Sequence, residues 1–310
     1  MKLGILFSGQ GSQKPGMGLD FLTDDLFKQT IQAASEATEL DIIRILKSEQ
    51  GELDETKNVQ PALVAVSCGI YRMLQRDLPK LPVAGMIGLS LGEYAALISA
   101  GALALKPGLS LLADRGRYMQ ADADAVASSL AALINPDLDS VNRVLKDHPK
   151  VTVANYNSPR QLVIGGPEKE VQLVAELLKQ QEAAKRVVVL NVSGAFHTAL
   201  FNPARQKMHQ RLKDVVFTEP EVPVISNTTI QPFAADNIAE ILERQLAQPT
   251  HFGEDLQKLV EYEQINGVLE IGPGKTLSRF ARQVNRSLNC EHISSIEDYQ
   301  AFIKEHQEWS

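Results

Sequence analysis

Residues 88–97 read GLSLGEYAAL, with Ser90 between two glycines as G-x-S-x-G, after an apolar run and before a helix-like stretch. Those residue types in that order can do nucleophilic chemistry. A strand–Ser–helix turn forces the serine into a tight, exposed bend. Gly88 and Gly92 supply the room, and the following helix aims free N–H groups at the reacting centre. Serine is a poor nucleophile at its own pKa and needs a base beside it. Of the six histidines, His197 closes VVVLNVSGAFH, where a strand runs into a loop, and is the best base candidate. His209 lies within the amphipathic run ARQKMHQRLKDV, and His306 belongs to the polar tail. A hydrolase triad also wants a carboxylate. Asp114, Asp122, Asp124, Asp137, Asp139 and Asp147 are available by position, yet none falls at a clean strand end. The pair predicts acyl transfer through a serine ester. Whether the acyl group goes to water or to another acceptor stays open, and the missing acid counts against an esterase.

The elements that must position this pair are legible as alternating patterns. KLGILF, FLTDDLFKQTIQAASEA, VAGMIGL and GEYAALISAGAL alternate short apolar runs with helix-like segments, the mark of an α/β protein with a mostly parallel sheet. QPALVAVSCGIYRMLQRDL is apolar all round and predicts a deeply buried helix. After about residue 125 the order becomes β-α-β-β-α-β, from SSLAALI to AAKRVVVLNV, which suits a ferredoxin-like unit. PVISN and INGVLEIGPG then resume the first pattern. The reading is therefore a large α/β domain, residues 1–124 and 194–310, with a small inserted α+β subdomain, residues 125–193. A cleft between them is the natural site.

With 310 residues, 44% hydrophobic and 22% charged, the chain has the composition of a soluble globular protein. The net charge of −7 argues against general nucleic-acid binding. No apolar stretch reaches the length of a membrane span, and MKLGILFSGQ lacks the apolar region of a signal peptide. Cys68 and Cys290 make no disulfide framework and read as free thiols in a reducing cytoplasm. The histidines are too scattered for a metal cluster. EIGPGKT ends like a phosphate loop, but position 269 is leucine where that motif needs glycine, so nucleotide binding is rejected.

Four separated motifs converge on one family. FSGQGSQKPGMG at 7–18, GLSLGEYAAL, DRGRYMQ at 114–120 and GAFH at 194–197 resemble the signatures of the malonyl-CoA:acyl carrier protein transacylases of fatty-acid synthesis. NVQPAL, NYNSP, ERQLAQP and EIGPGKTL fall in the matching order, and the resemblance covers about residues 3–290. It implies a hydrolase-like parallel-sheet core with an inserted ferredoxin-like subdomain. It also implies malonyl-CoA as donor, a holo acyl carrier protein as acceptor, and no cofactor beyond the coenzyme A thioester itself. By the same resemblance Ser90 is the nucleophile and His197 the base, oriented by the main-chain carbonyl of Gln245 in place of an acid. The oxyanion donors are the N–H groups of Gln10 and Leu91. Arg115, Gln60 and Phe196 bind substrate.

Arg115 carries the substrate argument, since a guanidinium holds a free carboxylate through two parallel hydrogen bonds. Residues two apart on a helix do not share a face, so only one arginine of DRGRYMQ points inward, and the family pattern selects Arg115 over Arg117. Leu89 stands where many relatives have histidine, and Leu130 where methionine is commoner. Acidic carrier proteins call for a local basic patch. Lys275, Arg279, Arg282 and Arg286 form one stripe if GKTLSRFARQVNR is helical, and Lys185 with Arg186 makes a second pair; both are assigned to docking the carrier or coenzyme A. The alternatives are a trans-acting malonyl transferase of polyketide synthesis, a malonate decarboxylase, a serine esterase and a non-catalytic carrier-binding subunit.

Overall fold

Leu3–Phe7 (β1) is buried at all five positions, as expected of a parallel strand covered on both faces. It lies at the centre of the larger sheet in a computed structural model that describes residues 1–190 and 192–310. After β1 come α1 (Asp25–Thr38), α2 (Ile42–Lys47), α3 (Thr56–Asp77), β2 (Val83–Gly88), α4 (Gly92–Ser99) and α5 (Leu105–Ala125). The middle of the chain forms β3 (Ser128–Pro136), α6 (Leu138–Asp147), β4 (Thr152–Ser158), β5 (Gln161–Pro167), α7 (Glu168–Gln180) and β6 (Ala184–Leu190). There follow α8 (Asn202–Leu212), β7 (Val224–Ile225), α9 (Ile238–Gln245) and α10 (Phe252–Glu263). The chain finishes through β8 (Gly267–Ile271), α11 (Thr276–Val284), β9 (Asn289–Ile293) and α12 (Ile296–Glu305). Asn191, within the strand expected over AAKRVVVLNV, lies outside the described residues.

The larger sheet has the order β7-β2-β1-β8-β9, and every pairing is parallel. Parallel strands present all their carboxyl ends on one side, where open α/β sheets bind ligands. The loops after β1, β2, β7 and β8 meet there. The apolar run at 60–78 is indeed a core helix, α3, with Ile70, Leu63 and Leu74 almost wholly excluded from solvent.

The second sheet is antiparallel with order β4-β5-β3-β6, the ferredoxin-like arrangement. Strand alternation divides its residues between two faces. Ala131, Leu133, Leu162 and Ile164 pack under α6 and α7, whose Val141, Val171, Val174 and Leu178 recur at helical spacing. Each such side chain contributes about 1.5–3 kcal/mol of burial. Leu130, Ala132 and Val163 point the other way and cluster with Ala154 and Ala195. That face walls the cleft. Among the described residues, no helix is long and apolar enough to cross a membrane.

Two expectations need correction. His306 is not in a solvated tail: it is 7% exposed, stacks on Trp309 at 4.1 Å between ring centroids and meets Glu291 at 3.2 Å. The Trp309 carbonyl accepts from the Lys80 N–H at 2.9 Å, so the tail packs back on the loop before β2 and brings Glu291, Glu305 and His306 together. The basic stripe is also shorter than expected, because α11 ends at Val284 and leaves Lys275 before it and Arg286 beyond it.

The turn from β2 into α4 is the tightest point of the frame. A Cβ on Gly88 would lie 1.8 Å from the Gly92 carbonyl carbon, and one on Gly92 would lie 2.4 Å from the Phe7 carbonyl oxygen. Both obstacles are backbone and cannot step aside. Gly88→Ala is expected to cost at least about 3 kcal/mol, at the upper end of overpacking penalties. Urea unfolding checks this; a midpoint equal to wild type would show that the turn has slack.

Candidate active site

Ser90 sits at the apex of that turn with φ 55, in the left-handed region, where a non-glycine residue carries about 1–3 kcal/mol of strain. The bend projects its hydroxyl into a cleft of about 750 Å³ between the two sheets. Gly9 has no room for a side chain, since its Cβ would meet the Leu89 carbonyl oxygen at 2.5 Å. The loop after β1 thereby lies directly against the serine turn. Gly11, at φ 101, supplies the actual left-handed bend in that loop.

His197 Nε2 lies 2.8 Å from Ser90 Oγ, and His197 Nδ1 lies 2.8 Å from the main-chain oxygen of Gln245. A carbonyl only accepts, so Nδ1 carries the proton and Nε2 offers its lone pair to the serine hydroxyl. Burial, reinforced by the nearby Arg115 charge, lowers the imidazole to about 4, against the smaller opposing pull of the Gln245 carbonyl. The ring is neutral at neutral pH. It is ready to accept a proton.

Arg115 extends from α5, is 1% exposed, and points both guanidinium ends into the site. Nη1 donates to Gln60 Oε1 at 2.5 Å; Nη2 donates to Gln245 Oε1 at 2.8 Å and to Ser90 Oγ at 3.2 Å. All three acceptors are neutral. Among the described residues no carboxylate pairs with this guanidinium, and its Nε has no partner. Isolated buried charge is costly, so an incoming anion would gain what the protein withholds. Arg117, by contrast, is exposed and pairs with Asp114, which also holds Arg211.

The remaining expected residues divide. The N–H groups of Gln10 and Leu91 donate to no other group among the described residues, and both residues line the cleft, as Phe196, Leu89 and Leu130 do. Gln60 does not line it: fully buried on α3, it reaches the site by holding Arg115, by donating to Sδ of the cleft-lining Met119 at 3.4 Å, and by a chain through Thr56 Oγ1 to Gln10 Oε1. Arg279 and Arg282 on α11, Lys275 just before it and Arg286 beyond it are all exposed, beside the cleft-lining Thr276, Leu277 and Phe280. Arg282 is partly engaged, donating to the Cys290 carbonyl at 3.3 Å. Lys185 and Arg186 do not form a pair, because successive residues of β6 point to opposite faces. They also stand roughly 13–17 Å along the strand from Leu190 at the cleft edge.

Sequence reading passed over Glu93, Asn227 and Asp255, all buried beneath Ser90. A signal existed for the first: Glu93 is the only charge in the apolar run GEYAALISAGAL.

Comparison with known proteins places this geometry. Residues 5–308 match the family model described as acyl transferase domain. The malonyl CoA-acyl carrier protein transacylase of Bacillus subtilis (strain 168) is 34% identical, over 98% of this chain and 96% of its own length. The crystal structure of the Streptococcus pneumoniae MCAT superposes with a TM-score of 0.92 at 35% identity, covering 98% of this chain and 100% of that one. A holo complex of a malonyl-transacylase with its type II PKS acyl-carrier protein gives 0.93 at 30% identity, covering 99% and 100%.

The His197 environment sets a pH dependence. A base with pKa about 4 stays competent down to weakly acidic pH, so Ser90 acylation should be level from pH 8 to roughly 5 and fall as pH drops through about 4. Rapid-quench measurement of the Ser90 adduct across that range checks it. An inflection near the ordinary histidine value would contradict the burial argument.

Proposed function

This chain belongs to the acyl transferase domain family, and from that premise we infer that it carries a malonyl group from coenzyme A, through an ester on Ser90, to the phosphopantetheine thiol of an acyl carrier protein, supplying fatty-acid synthesis. The observation that carries the choice of donor is the buried Arg115 guanidinium, which faces the nucleophile with neutral acceptors alone. Malonyl is the acyl group whose distal carboxylate completes it, through two parallel charge-assisted hydrogen bonds. Phe196 lies in the cleft wall and against Phe201, adding bulk beside the acyl group.

In the first half-reaction the Ser90 hydroxyl proton passes to His197 Nε2 as Oγ bonds to the thioester carbonyl carbon. The oxyanion forms opposite the Gln10 and Leu91 N–H groups, the second of which opens α4. Collapse breaks the carbon–sulfur bond, and the imidazolium returns its proton to the departing coenzyme A sulfur. The second half runs in reverse order of roles. The carrier thiol gives its proton to Nε2, its sulfur bonds to the ester carbon, the carbon–Oγ bond breaks, and Ser90 regains the proton. Side chains and the thioester substrate suffice for each step, so no prosthetic group enters the proposal. Free Cys68 and Cys290 suit a reducing cytoplasm. Service to polyketide synthesis is a second reading, favoured by the likeness to a transacylase held with a type II PKS carrier.

Mass spectrometry of the protein with malonyl-CoA, followed by holo carrier protein, tests loading and acceptor together. The malonyl mass should appear on wild type, vanish on adding carrier, and never appear on Ser90→Ala. Arg115→Ala should cost malonyl transfer at least about 100-fold more than acetyl transfer, the worth of two charge-assisted bonds. Equal losses for both donors would refute the carboxylate clamp. For docking, Arg279→Glu is cleaner than a change at Arg282, whose guanidinium also holds a carbonyl. Its carrier half-reaction should slow several-fold at low salt and converge on wild type at high salt. A rate independent of both charge and salt would remove α11 from the docking surface.

A further inference from the structure

Beneath the nucleophile, buried polar side chains that the transfer steps do not use form one hydrogen-bonded frame. The Ser90 main-chain N–H donates to Asn227 Oδ1 at 2.7 Å. Its carbonyl accepts from Gln245 Nε2 at 2.9 Å and from the Glu93 N–H at 3.0 Å. Glu93, in the first turn of α4, closes the frame: one carboxylate oxygen accepts the Asn227 N–H and the other accepts from Gln245 Nε2. Asn227 Nδ2 in turn donates to Asp255 Oδ2, on α10, at 2.7 Å.

The polarity of these bonds is forced. A main-chain N–H only donates, so Asn227 must turn its oxygen to Ser90 and its NH2 to Asp255, which must accept. Arg115 only donates and the Ser90 carbonyl only accepts, so Gln245 turns its oxygen to Arg115 and its NH2 to Ser90 and Glu93. Both oxygens of Glu93 therefore face donors. Burial pushes both carboxyl groups up; at Glu93 the Asn227 N–H, the Gln245 NH2 and the nearby Arg115 charge pull the other way, and two obligate donors on its two oxygens fit only the ionised form.

We infer that Glu93 and Asn227 are positioning residues, which clamp the strained main chain of Ser90 on both sides and tie that clamp to Gln245. Through Gln245 the same frame reaches both other working groups, since its carbonyl orients His197 and its side chain holds Arg115. Released from the clamp, Ser90 would relax from φ 55 toward ordinary backbone and carry Oγ away from Nε2. The inference rests on Ser90 being the nucleophile.

The test exchanges bond polarity while keeping shape. In Asn227→Asp the NH2 donor to Asp255 is lost and two buried carboxyl groups meet in its place, of which only one can stay ionised, so a negative charge or a shared proton enters the frame where a neutral amide stood. The rate of Ser90 loading by malonyl-CoA is expected to fall at least about 100-fold, with the half-saturating concentration changed less than about threefold. Adding Asp255→Asn restores donor against acceptor and should bring loading back to within about tenfold of wild type, a coupling that a general packing defect would not give. Glu93→Gln, equal in shape, sets an NH2 against a donor in either orientation and should lose as much as Asn227→Asp. Full-rate loading by Asn227→Asp or Glu93→Gln overturns the inference, as does a double variant no faster than Asn227→Asp. Should Asn227→Asp fail to fold, Glu93→Gln and the double variant, compared at matched melting temperature, decide the question alone. Wild type that loads no malonyl on Ser90 would instead overturn the nucleophile assignment.

Discussion

A guanidinium held out of water with no carboxylate in direct contact is the constraint on which this site depends. Arg115 has neutral oxygens on every side, from Gln60, Gln245 and Ser90. Such a group costs stability in the free protein, and the family of substrates that recovers the cost is narrow: an acid group that reaches the cleft beside the serine. The same charge lowers the basicity of His197. The charge that would receive an acid group thus also adds to the burial that keeps His197 neutral.

That coupling explains why a neutral group orients the imidazole. A carboxylate beside His197 would raise its basicity, and it would also offer Arg115 a permanent partner, removing the vacancy that selects the donor. A main-chain carbonyl fixes the tautomer without adding charge. Gln245 supplies that carbonyl from the end of α9 while its side chain meets Arg115 and the Ser90 backbone. One residue therefore sets the relative positions of Ser90, His197 and Arg115.

Most of this architecture was legible because it rests on periodicity and on residues with unusual backbone needs. The alternating runs gave the parallel sheet, and the β-α-β-β-α-β order gave the second sheet. GLSLG gave the bend, because glycines at 88 and 92 answer a collision that any side chain would suffer. What stayed hidden depends on distance across the fold. Asn227 follows a strand of two residues, and Asp255 lies in an ordinary amphipathic helix, so nothing local marks either as lying under Ser90. Gln60 was matched to the site by its motif, yet its true contact is the arginine. The end of α11 and the packing of His306 on Trp309 depended on tertiary contacts that periodicity does not report.

The base also bears on why the acyl group goes to a thiol. A neutral imidazole within 2.8 Å of Ser90 Oγ would serve a water molecule as readily as a thiol, so the chemistry at Nε2 does not discriminate between them. Discrimination falls to the cleft walls. One wall is the helix-free face of the antiparallel sheet, where apolar Leu130, Ala132 and Val163 stand beside the amide side chains of Asn155, Asn157 and Gln161. A long arm with a terminal thiol would cover the apolar part of that face and meet its amides together, a set of contacts that a single water molecule is too small to make. The antiparallel sheet, which contributes neither Ser90, His197 nor Arg115, thereby supplies a wall on which an extended acyl acceptor would gain contacts that a water molecule would not.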